Sequence, residues 1–193
     1  LHPNDHAGYY PGASSIHLKV IFSPEGSILG AQAVGRAGVD KRIDVIATAI
    51  RGGLTVDDLA ELELAYAPPF GSAKDPINMA GFMAQNLLRG DVAFWYGEQL
   101  PDLPTDAVLL DVRTPREVAR GALPNHLNIP HTELRERLAE IPVDRPVYAY
   151  CASGFRSYLA ARILTQSGYE AATLAGGMAT MKAWLQIDRE SAE

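Results

Sequence analysis

Hydrophobic and polar positions alternate near the start of the chain and then recur with a helical period. Four apolar side chains share one side of residues 16–22 (IHLKVIF), which predicts a half-buried strand. A turn containing Ser, Pro and Gly leads to a second apolar run, 28–34, so the two runs predict an antiparallel hairpin. Helical spacing follows in residues 39–51, 56–61 and 75–88. The first half is therefore predicted to combine an antiparallel sheet with helices.

Shorter apolar runs mark the second half. Residues 107–110 and 146–150 predict buried strands, and 158–166 (YLAARILTQ) has helical spacing. We place a domain boundary near Arg89, which gives domains 1–88 and 89–193. Residues 92–95 are predicted to be the opening helix of the second domain.

Composition excludes several classes of protein. The 193 residues are 47% hydrophobic and 21% charged, as in ordinary soluble domains. The net charge of −6 disfavours a nucleic-acid surface, and no apolar run is long enough to span a membrane. A single cysteine excludes an internal disulfide and fits a reducing cytoplasm. His2, Asp5 and His6 could suggest a metal site, but no further ligand cluster follows, so we expect a solvated turn and no metal.

That single cysteine, Cys151, lies where a strand gives way to a loop and then to a helix. A loop that opens a helix directs several backbone N–H groups at one spot, and the helix dipole adds partial positive charge. Such a site favours thiolate, the nucleophilic form, and Arg156 adds a permanent charge. The alternative is a small buried core cysteine. A core cysteine would need neither Gly154 nor Arg156, which favours the nucleophile.

The motifs around this loop resemble those of single-domain rhodaneses. They cover roughly residues 92–188 and occur in the family's order: DVRTPRE at 111–117, NIP at 128–130, CASGFRS at 151–157, LAGG at 174–177 and then Trp184. One departure is Gly-Ala-Leu at 121–123, where the family usually has Gly-His-Ile. Rhodaneses do not use that His as an acid or base. The resemblance implies an α/β domain whose parallel sheet carries helices on both faces.

The same resemblance implies covalent sulfur transfer. Cys151 would attack a sulfane sulfur donor, and a thiol or cyanide would then remove the sulfur from the resulting persulfide. The loop from Cys151 to Arg156 has six members, whereas phosphatase and arsenate-reductase loops are one residue longer. The shorter loop encloses less space, which suits a terminal sulfur rather than a tetrahedral oxyanion.

Other loop residues have expected roles by the same resemblance. Arg156 would orient the loop. The backbone of the loop would stabilise the negative charge of the persulfide and form the substrate-binding surface. Asp111 would support the loop from behind, or alternatively cap the helix that starts at 114–115. The expected substrate-binding residues are Ala152, Ser153, Gly154 and Phe155.

The first half resembles the C-terminal dimerisation domain of flavin-dependent pyridine nucleotide–disulfide reductases. The similarity covers roughly residues 1–86, and its most specific segments are YAPPF at 66–70 and KDP at 74–76, followed by Asn78. Coenzyme A-disulfide reductase and its polysulfide- or persulfide-reducing relatives form the most similar branch. Some members carry a C-terminal rhodanese domain, in the same order as here.

This second resemblance implies a homodimer formed through residues 1–86. Tyr66 and one of Tyr9 or Tyr10 would reach the partner subunit's flavin and coenzyme A thiol, where a tyrosine O–H can donate to a thiolate. Interface packing is the alternative for Tyr9 and Tyr10. Lys74 could contact a phosphate or pantetheine, or could be a solvated loop lysine.

No G-x-G-x-x-G motif follows any predicted strand. We therefore expect the nucleotide-binding domains and the redox cysteine upstream of Leu1, in a longer cytoplasmic reductase that uses FAD and NAD(P)H. The chain alone is expected to bind neither cofactor and to lack reductase activity.

Two other functions stay open. One is a catalytically silent rhodanese-like module that binds sulfur species or acts as a scaffold, although inactive members usually lose the cysteine. The other is a Cys-dependent phosphatase, which the loop length opposes.

Overall fold

The computed structural model describes residues 1–191, with side chains through residue 185. The chain forms two compact units, Leu1–Asp91 and Val92–Glu193. Within the described residues, no helix has the length and apolar character needed to cross a membrane.

The first unit is an antiparallel hairpin packed against three helices. Strands β1 (Ile16–Phe22) and β2 (Ile28–Gly35) pair over their whole length. The inward side chains of β1 join the helices in one apolar core, so the predicted alternation is confirmed. The predicted helices are also confirmed, with bounds α1 Val39–Gly52, α2 Val56–Glu61 and α3 Pro76–Leu88.

Polar residues fix the ends and the mutual packing of these helices. Thr55 caps α2 in a capping box with Asp58, and Asp75 caps α3, whose first residue is a proline. Asp75 also accepts hydrogen bonds from Arg42 Nε and Nη2 at 3.2 and 2.7 Å. Arg42 is 1% exposed, and Nη2 donates again to the backbone oxygen of Asp5 at 2.7 Å. One buried guanidinium thus joins α1, the N-terminus of α3 and the N-terminal loop.

The second unit is built on a parallel sheet of five strands in the order β3-β7-β6-β4-β5. Residues 92–95 do not open a helix, and this prediction is wrong. Phe94 and Trp95 favour extended structure, and the segment pairs with β7 while burying the Trp95 indole. The strands are β3 Ala93–Trp95, β4 Val108–Asp111, β5 His126–Asn128, β6 Val147–Tyr150 and β7 Ala171–Leu174.

Helices cover both faces of this sheet, as expected. They are α4 Pro115–Val118, α5 Phe155–Gln166 and α6 Gly177–Ser191. Alternate residues of each strand enter different cores because side chains alternate across a strand. Leu110 and Ala149 pack with α5 residues, whereas Tyr150 and Leu174 pack with Met178 of α6. Strand β6 is central, so the loop at its carboxyl end lies between the two helical layers.

Candidate active site

Cys151 directly follows β6, and α5 begins four residues later at Phe155. The residue is 1% exposed. The Gly154 N–H donates to Cys151 Sγ at 3.2 Å, and Ser157 Oγ lies 3.5 Å from the same sulfur. Gly154 can direct its N–H inward because it adopts a positive φ of 101°, which glycine tolerates. The sulfur therefore lies inside a short loop, with one backbone donor and one hydroxyl donor directed at it.

The N-terminus of α6 holds this loop from behind. Met178 N–H donates to the carbonyl of Cys151 at 2.8 Å, and Ala179 N–H donates to the carbonyl of Ala152 at 2.9 Å. In a trans peptide the N–H group points opposite to the carbonyl that precedes it. The amide groups of Ala152 and Ser153, which follow these two carbonyls, are therefore directed away from α6. Gly177 has φ of 61°, and a Cβ there would lie 2.7 Å from the carbonyl oxygen of Cys151. The glycines of the LAGG segment thus permit close approach of α6 to the loop.

Arg156 forms a bidentate ion pair with Glu117. Its Nη1 and Nη2 donate to the two carboxylate oxygens at 2.8 and 2.6 Å. Glu117 also accepts from the backbone and hydroxyl of Thr114 at the start of α4. Arg156 holds the pKa of the Glu117 carboxyl well below its usual range, and Glu117 in turn raises the pKa of Arg156. Arg156 therefore joins the first turns of two helices, α4 and α5, beside the cysteine loop.

Asp111 is fully buried at the carboxyl end of β4. Its carboxylate accepts from the backbone N–H of Arg113 at 3.0 Å and from the guanidinium Nη2 at 2.6 Å. The helix-capping interpretation of Asp111 is wrong, because α4 starts after Thr114 and Asp111 is occupied by Arg113. Burial, with a contribution from Asp111, raises the pKa of Tyr150, the residue before Cys151. Asp111 thus lies on the neighbouring strand, opposite Tyr150 at the end of the strand that leads to the cysteine.

In the first unit, two of the predicted tyrosines lie together. The hydroxyls of Tyr9 and Tyr66 are 2.9 Å apart, with the side chains 77% and 50% exposed. The hydrogen bond to Tyr66 raises the pKa of Tyr9. Tyr10 instead packs edge-on against His6, with ring centres 5.8 Å apart. The geometry pairs Tyr9, rather than Tyr10, with Tyr66.

Each unit also matches a known protein family. Residues 95–184 match the rhodanese-like domain, and residues 1–76 match the pyridine nucleotide-disulphide oxidoreductase dimerisation domain. The chain is a disulphide-reductase dimerisation domain joined to a rhodanese-like domain. Both resemblances read from the sequence are confirmed.

Solved relatives match most of this chain, and curated relatives match somewhat less than half of it. The chain is similar to reduced Bacillus anthracis CoADR-RHD, with 48% identity and a TM-score of 0.90 over 92% of this chain. It is similar to a NAD-dependent persulfide reductase from A. fulgidus, with 43% identity and a TM-score of 0.85 over 93% of this chain. The coenzyme A disulfide reductase of Staphylococcus haemolyticus is 50% identical over 88 residues, 45% of this chain. This chain spans 32% of each of those two structures and 20% of the Staphylococcus protein.

The remaining predicted residues have less defined surroundings. In the rhodanese-like domain, Phe155 is 64% exposed at the start of α5 and Ser153 is exposed, whereas Ala152 is half-buried. In the dimerisation domain, Lys74 is exposed and has no hydrogen bond or ion pair to another described residue.

Among the side chains that the structure describes, through residue 185, no group of three metal-ligating residues occurs, at the histidine-rich start of the chain or elsewhere. His6 lies 3.2 Å from Asp5, whose carboxylate accepts from Ser14. His2 packs edge-on against His17.

Sequence reasoning missed several partners in the rhodanese-like site, Glu117 and Thr173 among them. Glu117 lies within the DVRTPRE motif, and the spacing of Thr114, Pro115 and Glu117 is the signature of a capped helix start. That signature could have identified Glu117 as a structural residue, but not as the partner of Arg156. Thr173 carries no motif signal, although its buried hydroxyl donates to Ser157 beside Cys151.

Proposed function

We propose that the rhodanese-like domain transfers sulfane sulfur through a persulfide on Cys151. The thiolate would attack the outer sulfur of thiosulfate, forming Cys–S–S⁻ and releasing sulfite. Cyanide or a thiol would then take the outer sulfur and return Cys151 to the thiolate. Atoms and charge balance in both steps without a redox cofactor. The observation that carries this proposal is the position of Cys151 Sγ, held by the Gly154 N–H inside a loop braced by α6.

The loop would stabilise the negative charge wherever it lies on the two sulfurs. N–H groups that are fixed before reaction need no reorganisation when charge develops, which is why such loops act as anion sites. Arg156 would orient the loop through its pair with Glu117, while Asp111 supports the end of the neighbouring strand. The short loop, six residues from Cys151 to Arg156, favours binding of a terminal sulfur over binding of phosphate.

We further propose that the dimerisation domain pairs two copies of the protein through residues 1–86. Tyr9 and Tyr66 would then reach the partner subunit's disulfide-reducing site, with the exposed Lys74 available to a phosphate or pantetheine. In the whole protein these domains would serve a cytoplasmic FAD- and NAD(P)H-dependent reductase of coenzyme A disulfide, persulfide or polysulfide. The names of the relatives, coenzyme A disulfide reductase and NAD-dependent persulfide reductase, support the reductase part of this proposal.

Replacement of Cys151 by serine tests the sulfur-transfer proposal. We expect the 193-residue chain to convert thiosulfate and cyanide to thiocyanate, and Cys151→Ser to abolish the reaction because serine cannot form a persulfide. Ser167→Ala, at the far end of α5, is the matched control and is expected to keep full activity. Wild-type turnover by Cys151→Ser would disprove the nucleophile. Faster hydrolysis of an aryl phosphate than sulfur transfer would favour a phosphatase, and loss of both reactions in the wild type would favour a silent binding module.

A further inference from the structure

Two buried hydroxyls form a hydrogen-bonded chain that ends at the sulfur of Cys151. Thr173, on β7, donates its Oγ1 hydrogen to Ser157 Oγ at 2.8 Å. Ser157, in the first turn of α5, lies 3.5 Å from Cys151 Sγ and 3.1 Å from the carbonyl oxygen of Gly154. Both hydroxyl-bearing residues are 0% exposed. Three different elements, β7, α5 and β6, thus place one short hydroxyl chain against the proposed reacting atom.

The proton count makes this chain directional. A hydroxyl has one hydrogen to donate. Because Thr173 donates to Ser157, the Ser157 hydrogen is free for one of two acceptors, the Gly154 carbonyl or Cys151 Sγ. Hydrogen bonds to a charged acceptor are roughly twice as strong as neutral ones. The Ser157 hydrogen is therefore directed to Sγ when the sulfur is a thiolate, and to Gly154 when Sγ is the uncharged inner sulfur of a persulfide.

We propose that Ser157 is a catalytic residue that stabilises Cys151 Sγ as the leaving group during sulfur release, and that Thr173 is its positioning residue. This inference rests on the proposed persulfide chemistry. In the release step, cyanide attacks the outer sulfur and the bond between the two sulfurs breaks. The electron pair remains on Sγ, and thiocyanate departs. No proton is transferred, because Ser157 only donates a hydrogen bond to the charge that forms on Sγ.

The proposed role predicts opposite sensitivities for the two half-reactions. During loading, Sγ loses its negative charge to the outer sulfur, so a donor aimed at Sγ gives no assistance. During release, Sγ regains the charge, so the same donor lowers the barrier. Loss of the hydroxyl should slow release alone, whereas general damage to the loop would slow both steps.

Single-turnover kinetics on the 193-residue chain test this difference. Loading with thiosulfate and release by cyanide are followed separately, in one alkaline buffer at about pH 10, where thiols are generally ionised. Mass spectrometry of quenched samples counts the sulfur on Cys151. We expect Ser157→Ala to slow release about tenfold, with loading not slowed. Thr173→Val should slow release about threefold, and Thr173→Ser should restore it.

Ser167→Ala removes an exposed serine hydroxyl at the C-terminal cap of the same helix and should change neither step. Equal slowing of loading and release in Ser157→Ala, or unchanged release, would overturn the role of Ser157. Wild-type release in Thr173→Val would overturn the role of Thr173. If the wild-type chain never gains a sulfur, the persulfide proposal itself is wrong and this inference falls with it.

Discussion

Replacement of Glu117 by glutamine removes the charge opposite Arg156 while keeping the side-chain shape. The pair is bidentate, and its side chains are 30% exposed for Glu117 and 24% for Arg156. A hydrogen bond to a charged group contributes about 1.5–3 kcal/mol when well shielded, and an exposed pair contributes at most about 1 kcal/mol. We therefore expect Glu117→Gln to lower the free energy of unfolding by about 1–2 kcal/mol. For a domain of this size, the melting temperature should fall by about 5–15 °C.

Tryptophan fluorescence measures this change in the correct domain, because the only two tryptophans, Trp95 and Trp184, both lie in the rhodanese-like unit. Glu140→Gln is the matched control. Glu140 also accepts two hydrogen bonds from one arginine, Arg137, but is 47% exposed, so its loss should lower the free energy of unfolding clearly less than the loss of Glu117.

The stabilisation by the Glu117–Arg156 pair is expected to depend on pH. Arg156 depresses the pKa of Glu117, so the stabilisation is complete above the ordinary carboxyl value of 4.5 and is lost as the pH falls below it. The difference between wild type and Glu117→Gln should therefore be constant from pH 7 to about 5 and narrow at lower pH. A difference that is absent at pH 7, or that widens in acid, would refute the reasoning.

Two further predictions concern loop packing and assembly. Gly177→Ala should lower the free energy of unfolding of the rhodanese-like domain by more than about 2 kcal/mol in denaturant titration, because the added Cβ meets the cysteine loop. The same variant should slow sulfur transfer. The control is Gly168→Ala, where φ is also positive but no neighbour lies within 4 Å, and this change should cost only about 1 kcal/mol. By light scattering, residues 1–91 should be dimeric and residues 92–193 monomeric, and the reverse result would contradict the assembly proposal.

Much of the fold follows from local patterns in the sequence. The alternation in residues 16–22 predicts the inner face of β1, and Thr55 and Pro76 predict two helix starts. These features succeed because each depends on the nearest few residues. The strand at 93–95 was missed because three residues are too few to distinguish strand from helix by periodicity, and its partner strand lies far along the chain.

Side-chain partners in the site could not be predicted in the same way. An amphipathic pattern places arginine on the solvent side, yet Arg42 is buried because Asp75, 33 positions away, neutralises it. Likewise Glu117 is 39 positions from Arg156, and Thr173 is 16 positions from Ser157. The cysteine loop was predictable because its chemistry is contained in consecutive residues, whereas the groups that brace it meet only in the folded domain.

The mass of the Cys151 peptide after treatment with thiosulfate tests the central claim most directly. The persulfide account predicts that the peptide gains one sulfur atom, that cyanide removes this sulfur as thiocyanate, and that Cys151→Ser never gains it. An unmodified Cys151 in a folded chain that still produces thiocyanate would contradict the account.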